Sequence, residues 1–226
     1  MARMHVIIVA GGSGARFGAP LPKQFCLLSG KPVVMHAIDA LRSACPAAAT
    51  TLALAKSEFD RWERLCKQYN FNSPTIAPGG ATRWESVKNA LATVADDCRL
   101  VLIHDGARPL PSKTMIDALL SAMKDVHAQG AVPAVAVTDS LRLMAEDGVN
   151  SEPFDRSKLR AVQTPQAFRF DLLMKAYELP YKAEFTDDAS VMEAAGFKNI
   201  VITPGEPTNL KITHPLDIAI AEAILK

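Results

Sequence analysis

Short runs that are apolar at nearly every position recur along the chain, separated by segments with helical spacing. His5–Ala10 (HVIIVA), Thr51–Ala55 (TLALA), the shorter Thr75–Ala77, Leu100–His104 (LVLIH), Ala131–Val137 (AVPAVAV) and Asn199–Thr203 (NIVIT) read as strands. Continuous rather than alternating apolarity suits strands covered on both faces. Pro133 has no N–H to give a ladder, which places the fifth strand toward a sheet edge or a bulge. Between the strands run helical stripes. They are Val87, Ala90, Leu91 and Val94 within 82–94, Ile116, Leu119, Leu120 and Met123 within 112–126, and Leu216, Ile220, Ala223 and Ile224 near the C-terminus. Thr82 and Thr213 stand where helix caps belong, and Pro215 suits a first turn. Strand–helix alternation predicts an α/β three-layer sandwich around a mainly parallel, Rossmann-like sheet, in one domain spanning 1–226.

Thr138–Gln166 breaks the alternation. It has polar ends, no helical stripe and an Asp147-Gly148 turn signal, and reads as two short strands around a turn that project from the body as a β-arm. A structureless loop of this length would itself point to function or disorder.

Composition narrows the function classes. Of 226 residues, 49% are hydrophobic and 22% charged, and the formal net charge is +1. A general nucleic-acid or membrane-surface binder needs a basic excess that is absent here, so any anion site is local. No apolar run approaches the roughly 18 residues of a spanning helix. Val6–Ala10 is too short for a signal peptide, so a cytoplasmic protein is expected. Cys26, Cys45, Cys66 and Cys98 form no C-x-x-C pair and no zinc spacing with the five histidines; reduced thiols are expected.

The first strand runs into Ala10-Gly11-Gly12-Ser13-Gly14-Ala15-Arg16-Phe17-Gly18-Ala19-Pro20-Leu21-Pro22-Lys23-Gln24. Glycines let backbone N–H groups approach and wrap phosphates, and Arg16 and Lys23 add two permanent charges. Three standard loops fail here. Phe17 fills the third glycine place of G-x-G-x-x-G, no Gly-Lys-Ser/Thr is present, and Ala15 breaks G-x-S-x-G. An anion-binding loop remains, with a plain structural turn as the alternative. His104-Asp105-Gly106-Ala107-Arg108-Pro109 follows the fourth strand, where parallel sheets bind ligands. Asp105 and Arg108 can hold a cation, an anion or a sugar hydroxyl there, or form only a surface ion pair. Gly79-Gly80-Ala81-Thr82-Arg83-Trp84-Glu85-Ser86 lets a flat base approach the backbone, with Ser86 as a hydrogen-bonding group, or is a tight turn capped by Thr82. Asp187 and Asp188 read as helix-starting acids in preference to a metal site. Lys211, taken as lying inside an apolar strand, needs an anion partner or an exit to water.

The ordered set A-G-G-x-G-x-R-F, P-K-Q-F, G-K-P-V, G-G-x-x-R-x-x-S-V, H-D-G-A-R-P, Thr138-Asp139-Ser140, Phe154-Asp155-Arg156, Q-T-P-Q-x-F, T-D-D-A-S and N-L-K-I-T resembles the 2-C-methyl-D-erythritol 4-phosphate cytidylyltransferase family over essentially the whole chain. The resemblance implies a nucleotidyltransferase-like fold, with the arm at about 138–166 as the element of a homodimer that inserts into the neighbour's site. It implies CTP and methylerythritol phosphate as substrates, pyrophosphate as by-product, and a divalent cation, Mg2+, held mainly by the CTP phosphates.

By motif position it implies roles for single residues. Ala10, Gly11, Gly12 and Gly14 would wrap the triphosphate. Arg16 and Lys23 would stabilise the transition state at the α-phosphorus. Gly79, Gly80 and Ser86 would hold cytosine and ribose. Asp105 and Arg108 would contact sugar phosphate or nucleotide. Arg156 and Lys211 would position the methylerythritol phosphate, assisted by Ser140 and Thr186. The chain departs from the family at Val9-Ala10-Gly11-Gly12, where P-A-A-G is common, at Ala81, where an acid is common, and at Ser140, where threonine is common. The A-G-G form also resembles ribitol-5-phosphate cytidylyltransferase, and H-D-G-A-R-P favours the first family. A non-catalytic nucleotide-binding module would not need Arg16, Lys23, Arg156 and Lys211 together.

Overall fold

The structure is a computed structural model that describes residues 3–11 and 21–226. Its elements run β1 (Met4–Val9), β2 (Leu27–Leu28), β3 (Lys31–Pro32), α1 (Val33–Ala44), β4 (Ala49–Leu54), α2 (Phe59–Gln68), β5 (Thr75–Pro78), α3 (Arg83–Leu91), β6 (Leu100–Asp105), α4 (Lys113–Ala122) and β7 (Gly130–Ala136). They continue β8 (Leu141–Met144), β9 (Ser151–Phe154), β10 (Arg160–Val162), β11 (Gln166–Arg169), α5 (Phe170–Ala176), α6 (Asp188–Ala194), β12 (Ile200–Pro204) and α7 (Pro215–Leu225). The six expected strands are all present, shifted by a residue or two. Helices α1, α2, α5 and α6 are additions that the hydrophobic pattern did not yield.

The main sheet has the order β10-β7-β11-β6-β1-β4-β5, with β12 on the other side of β7. β6, β1, β4 and β5 are mutually parallel, β12 is parallel to β7, and β10 and β11 run antiparallel to their neighbours. The apolar runs explain themselves in the packing. Val6 and Ile8 of β1, Leu52 and Leu54 of β4 and Leu102 of β6 enter a core shared with α1, α2 and α4. Ile7, Ala53, Val101 and Ile103 enter the opposite core, shared with α3, α5 and α6. These three strands are apolar on both faces because each face meets a helix layer.

Three details correct the sequence-based picture. Pro133 does not mark an edge or a bulge, because β7 is paired on both sides. The Pro133 carbonyl accepts from Gln163 N–H at 2.7 Å, so its missing N–H faces the break between β10 and β11, where no ladder bond is lost. The arm ends sooner than Gln166. β8 and β9 form a separate hairpin whose turn carries Gly148 at φ +68°, whereas Arg160–Val162 and Gln166–Arg169 belong to the main sheet. At the C-terminus the residue before Pro215 is His214, one beyond the expected Thr213; both backbone N–H groups donate to Asp217, at 2.7 and 2.6 Å. Thr82 caps α3 as expected, in a reciprocal capping box with Glu85. The four cysteines are unpaired. No helix among the described residues is long and apolar enough to cross a membrane.

A buried polar chain fixes the end of β6. The Asp105 N–H donates to Thr164 Oγ1 at 3.0 Å, and the Thr164 hydroxyl lies 3.2 Å from His104 Nδ1. His104 Nε2 lies 2.9 Å from the Arg108 carbonyl, which can only accept. The network therefore assigns a neutral imidazole carrying its proton on Nε2 and accepting from Thr164 on Nδ1. Burial pushes the His104 pKa down to about 4, against the opposing pull of the Arg108 carbonyl. The unfolded chain binds a proton at this histidine near pH 6.5 and the folded chain does not until about pH 4. Stability therefore falls as pH drops through that window, by on the order of 3 kcal/mol. His104→Gln retains a donor and an acceptor without titrating. Urea unfolding between pH 7 and pH 4 should show a flatter stability profile for the variant, with contributions from other groups cancelling in the difference. Parallel profiles would show that His104 is not held neutral.

Candidate active site

Parallel strand order brings the loops after β1, β5 and β6 to one end of the sheet, together with the chain around 163–166 and 205–213. On one side of this end the loop after β1 meets the loop after β5. Ala10 is buried, with its N–H on the Ala53 carbonyl at 2.8 Å and its carbonyl accepting from Gln24 Nε2 at 2.8 Å. A Cβ on Gly11 would stand 2.9 Å from Ser86 Oγ and 3.4 Å from the Gly79 Cα, so the two loops touch backbone to side chain only because residue 11 is glycine. The Gly79 N–H donates to the Leu54 carbonyl at 2.7 Å. The Gly80 N–H donates to Ser86 Oγ at 3.0 Å, and the Ser86 hydroxyl donates to the Thr82 carbonyl at 2.9 Å. At Ala81, the departure from the family pattern, the backbone N–H is taken by Glu85 Oε2 at 2.6 Å. Lys23 opens a short 3-10 turn, Lys23–Phe25, and is half-buried. Gly12, Gly14 and Arg16 lie outside the described residues.

The other side is a cavity of about 600 Å³, lined by Asp105, Arg108, Thr186 and Lys211 among others. Its centre is Asp105, the last residue of β6. Oδ2 lies 2.8 Å from Lys211 Nζ and 3.9 Å from Arg108 Nε, and Oδ1 accepts from Arg83 Nε at 3.2 Å. Burial alone would raise the carboxyl pKa; Arg83, Lys211 and Arg108 outweigh it and hold the group well below the usual carboxylate range. Arg108 is pushed down chiefly by burial, and it also donates to the Asn209 carbonyl at 2.7 Å. The sequence places Lys211 in a strand, whereas it lies in the connection between β12 and α7. The Ile212 N–H donates to the Ala107 carbonyl at 2.8 Å, which pins that connection beside the loop after β6. The anion partner that a lysine there requires is Asp105.

Two expected site residues do not line this cavity. Ser140 and Arg156 are exposed on the arm, with Arg156 Nη1 donating to the Thr138 carbonyl. Within one chain Arg156 is therefore not brought to Lys211.

Sequence reasoning gave no role to Arg83 or to the buried face of Asp188. The Arg83 fork grips Asp188 with Nη1–Oδ1 at 2.9 Å and Nη2–Oδ2 at 2.7 Å, and Tyr177 Oη donates to Asp188 Oδ1 at 2.6 Å. Burial works against the Arg83 charge, but Asp188 and Asp105 overcome it and raise its pKa. A signal was present, because Arg83 is the first residue of α3 and a cation at a helix N-terminus opposes the helix dipole unless an acid answers it. Asp188 does begin α6, after the N-cap Asp187, so its expected place holds. Among the described residues no group of three His, Cys, Asp or Glu side chains stands together as a metal site. With Asp105 already shared among cations, these side chains do not fit an ion held by protein alone.

Comparison with known proteins places this arrangement. Residues 4–226 match the family model described as 2-C-methyl-D-erythritol 4-phosphate cytidylyltransferase. The protein of that name from Azobacteroides pseudotrichonymphae is 43% identical over 100% of both chains. That from Porphyromonas gingivalis is 42% identical over 99% of this chain and 98% of its own. Among solved structures, 4-diphosphocytidyl-2C-methyl-D-erythritol synthase from Anaerococcus prevotii superposes with a TM-score of 0.81, at 25% identity, covering 99% of this chain and 98% of its own. The 2-C-methyl-D-erythritol 4-phosphate cytidylyltransferase from Thermus thermophilus gives a TM-score of 0.75 at 30% identity, covering 98% of each chain. With its fold, its motifs in order and its full-length match all agreeing, the chain belongs to the 2-C-methyl-D-erythritol 4-phosphate cytidylyltransferase family.

Proposed function

We propose that this chain transfers a cytidylyl group from CTP to 2-C-methyl-D-erythritol 4-phosphate, releasing pyrophosphate. The observation that carries the reading is the division of the sheet end into two adjoining parts. A glycine-lined loop pair around Gly11, Gly79 and Ser86 suits a flat base and ribose, and a cationic cavity around Arg108 and Lys211 suits a phosphorylated second substrate. An oxygen of the sugar phosphate attacks the α-phosphorus of CTP. A new P–O bond forms as the bond from that phosphorus to the oxygen bridging to the β-phosphate breaks, and pyrophosphate leaves with the electron pair.

The nucleophile arrives on the substrate, so the chain needs no Ser, Cys or His nucleophile. Its work is positioning and charge stabilisation. Arg16 and Lys23 carry the charge stabilisation at the α-phosphorus. Gly12 and Gly14 belong with Ala10 and Gly11 in the triphosphate loop. Arg108, Lys211 and Thr186 hold the sugar phosphate beside Asp105. A divalent cation, Mg2+, would be held mainly by the CTP phosphates and would supply charge neutralisation there. The described side chains offer no cage of their own for it.

The arm gives the reading its quaternary form. Arg156 and Ser140 lie on it, away from their own cavity, and its hairpin exposes Leu143, Met144, Val149 and Phe154. This supports a homodimer in which each arm serves the partner's site. The whole chain then works as one cytidylyltransferase unit in the cytoplasm. Arginine suits the sugar phosphate because its fork takes two phosphate oxygens at once, which lysine does not copy.

Pyrophosphate release should require CTP and methylerythritol phosphate together, and release with either alone or with neither would sink the assignment. Lys23→Ala should fold normally and lose about 10²–10³ in turnover, the cost of removing one transition-state donor. Near wild-type turnover at saturating substrates would end that role. Arg156→Lys should raise KM for the sugar phosphate and leave KM for CTP little changed. Co-expressed Arg156→Ala and Lys211→Ala chains, each inactive alone, should recover activity in part, because each mixed dimer assembles one intact site. Mixed dimers that form yet stay inactive would show that Arg156 is not donated across the interface.

A further inference from the structure

Arg83, Asp188 and Tyr177 form a chain of contacts whose outer member, Arg83, lines the cavity beside Asp105. Each nitrogen of the Arg83 guanidinium is engaged, Nη1 and Nη2 on Asp188 and Nε on Asp105. Asp188 is fully buried and accepts both prongs of the fork as well as the Tyr177 hydroxyl. Tyr177 is itself buried, its ring stacked on Trp84 at 5.6 Å between centroids and 19° between planes. Side-chain charge thus alternates along a line, Asp188, Arg83, Asp105, Lys211. Its inner end is clamped by packing and its outer end opens on the cavity.

We infer that Arg83 and Asp188 are positioning residues for the sugar-phosphate half of the site. The pair holds Asp105 by Oδ1, so that Oδ2 faces Lys211 and sets where the lysine ammonium stands. An arginine lining a phosphate site would ordinarily be taken as a direct phosphate ligand. Here the fork that would bind a phosphate is spent on a buried carboxylate, and the remaining Nε is turned to Asp105. The nucleotide side does not depend on this clamp. Its loop is held by the Thr82–Glu85 capping box and by the bonds of Gly79, Gly80 and Ser86. Arg83 shares α3 with that loop but makes none of those bonds.

This inference rests on the reaction proposed above, and the test separates the two. Arg83→Lys keeps the charge but not the fork, and Asp188→Asn keeps the shape but not the charge. Each should raise KM for methylerythritol phosphate about tenfold while KM for CTP stays within about twofold. Tyr177→Phe removes only the hydroxyl that anchors Asp188 and should give a smaller rise in the same constant, which keeps the test available if Asp188→Asn does not fold. Crystal structures of the variants supply a readout independent of activity, in which the Asp105 carboxylate should rotate and its contact with Lys211 should change. An unchanged KM for the sugar phosphate in a folded variant would overturn the inference. So would equal rises in both KM values, the pattern of a general structural loss, or an Asp105–Lys211 geometry identical to wild type. If the wild-type protein does not use methylerythritol phosphate, the proposed reaction fails, and the crystallographic comparison alone decides whether the clamp positions Asp105.

Discussion

One carboxylate organises the catalytic end of this protein. Asp105 terminates the central β6 strand and meets Arg83, Arg108 and Lys211 from three separate segments. Removing any of these charged groups from water is costly, and the arrangement is tolerable only because the opposite charges are shared at close range with hydrogen bonds around them. The backbone beneath it is fixed in turn by Thr164 and the neutral His104. Parallel strand order, a glycine-lined loop on one side and a cationic cavity on the other acquire meaning together because this acid ties three cations to the sheet.

Much of the fold was legible in the sequence because its physical causes are local. Val6, Ile7 and Ile8 are all buried, on alternating faces, so an unbroken apolar run was enough to indicate a strand between two helix layers. Thr82 with Glu85, and Asp147 with Gly148, carry their cap and turn chemistry within a few residues. Pro133 suggests an edge or a bulge, but its tolerance depends on where two antiparallel partners break, which no local window contains. The arm spans 138–166 on the sequence pattern and ends sooner in the structure for a related reason. Arg160–Val162 and Gln166 are polar at their ends and look like an excursion, yet they rejoin the sheet by pairing with residues far back in the chain.

The site was legible unevenly. The sequence singles out Asp105 and Arg108 because they follow a strand at the end where parallel sheets bind ligands, and Lys211 because a charge among apolar neighbours demands a partner, and the three do converge. Arg83 and Asp188 were not joined, since 105 residues separate them and each has a local explanation as part of a helix start. The pairing is visible only once α3 and α6 present their N-termini to each other. Arg156 is the opposite case: the motif marks it, and in the single chain it is exposed on the arm, the observation that the proposed homodimer starts from.

In the proposed reaction the cationic cavity beside Asp105 selects methylerythritol phosphate as the acceptor of the cytidylyl group. A competition between equal amounts of methylerythritol phosphate and ribitol 5-phosphate, with CTP limiting and the products identified by mass, tests it most directly. The cytidine diphosphate derivative of methylerythritol should accumulate almost alone. Predominant formation of the ribitol derivative, or no cytidine diphosphate product from either acceptor, would contradict it.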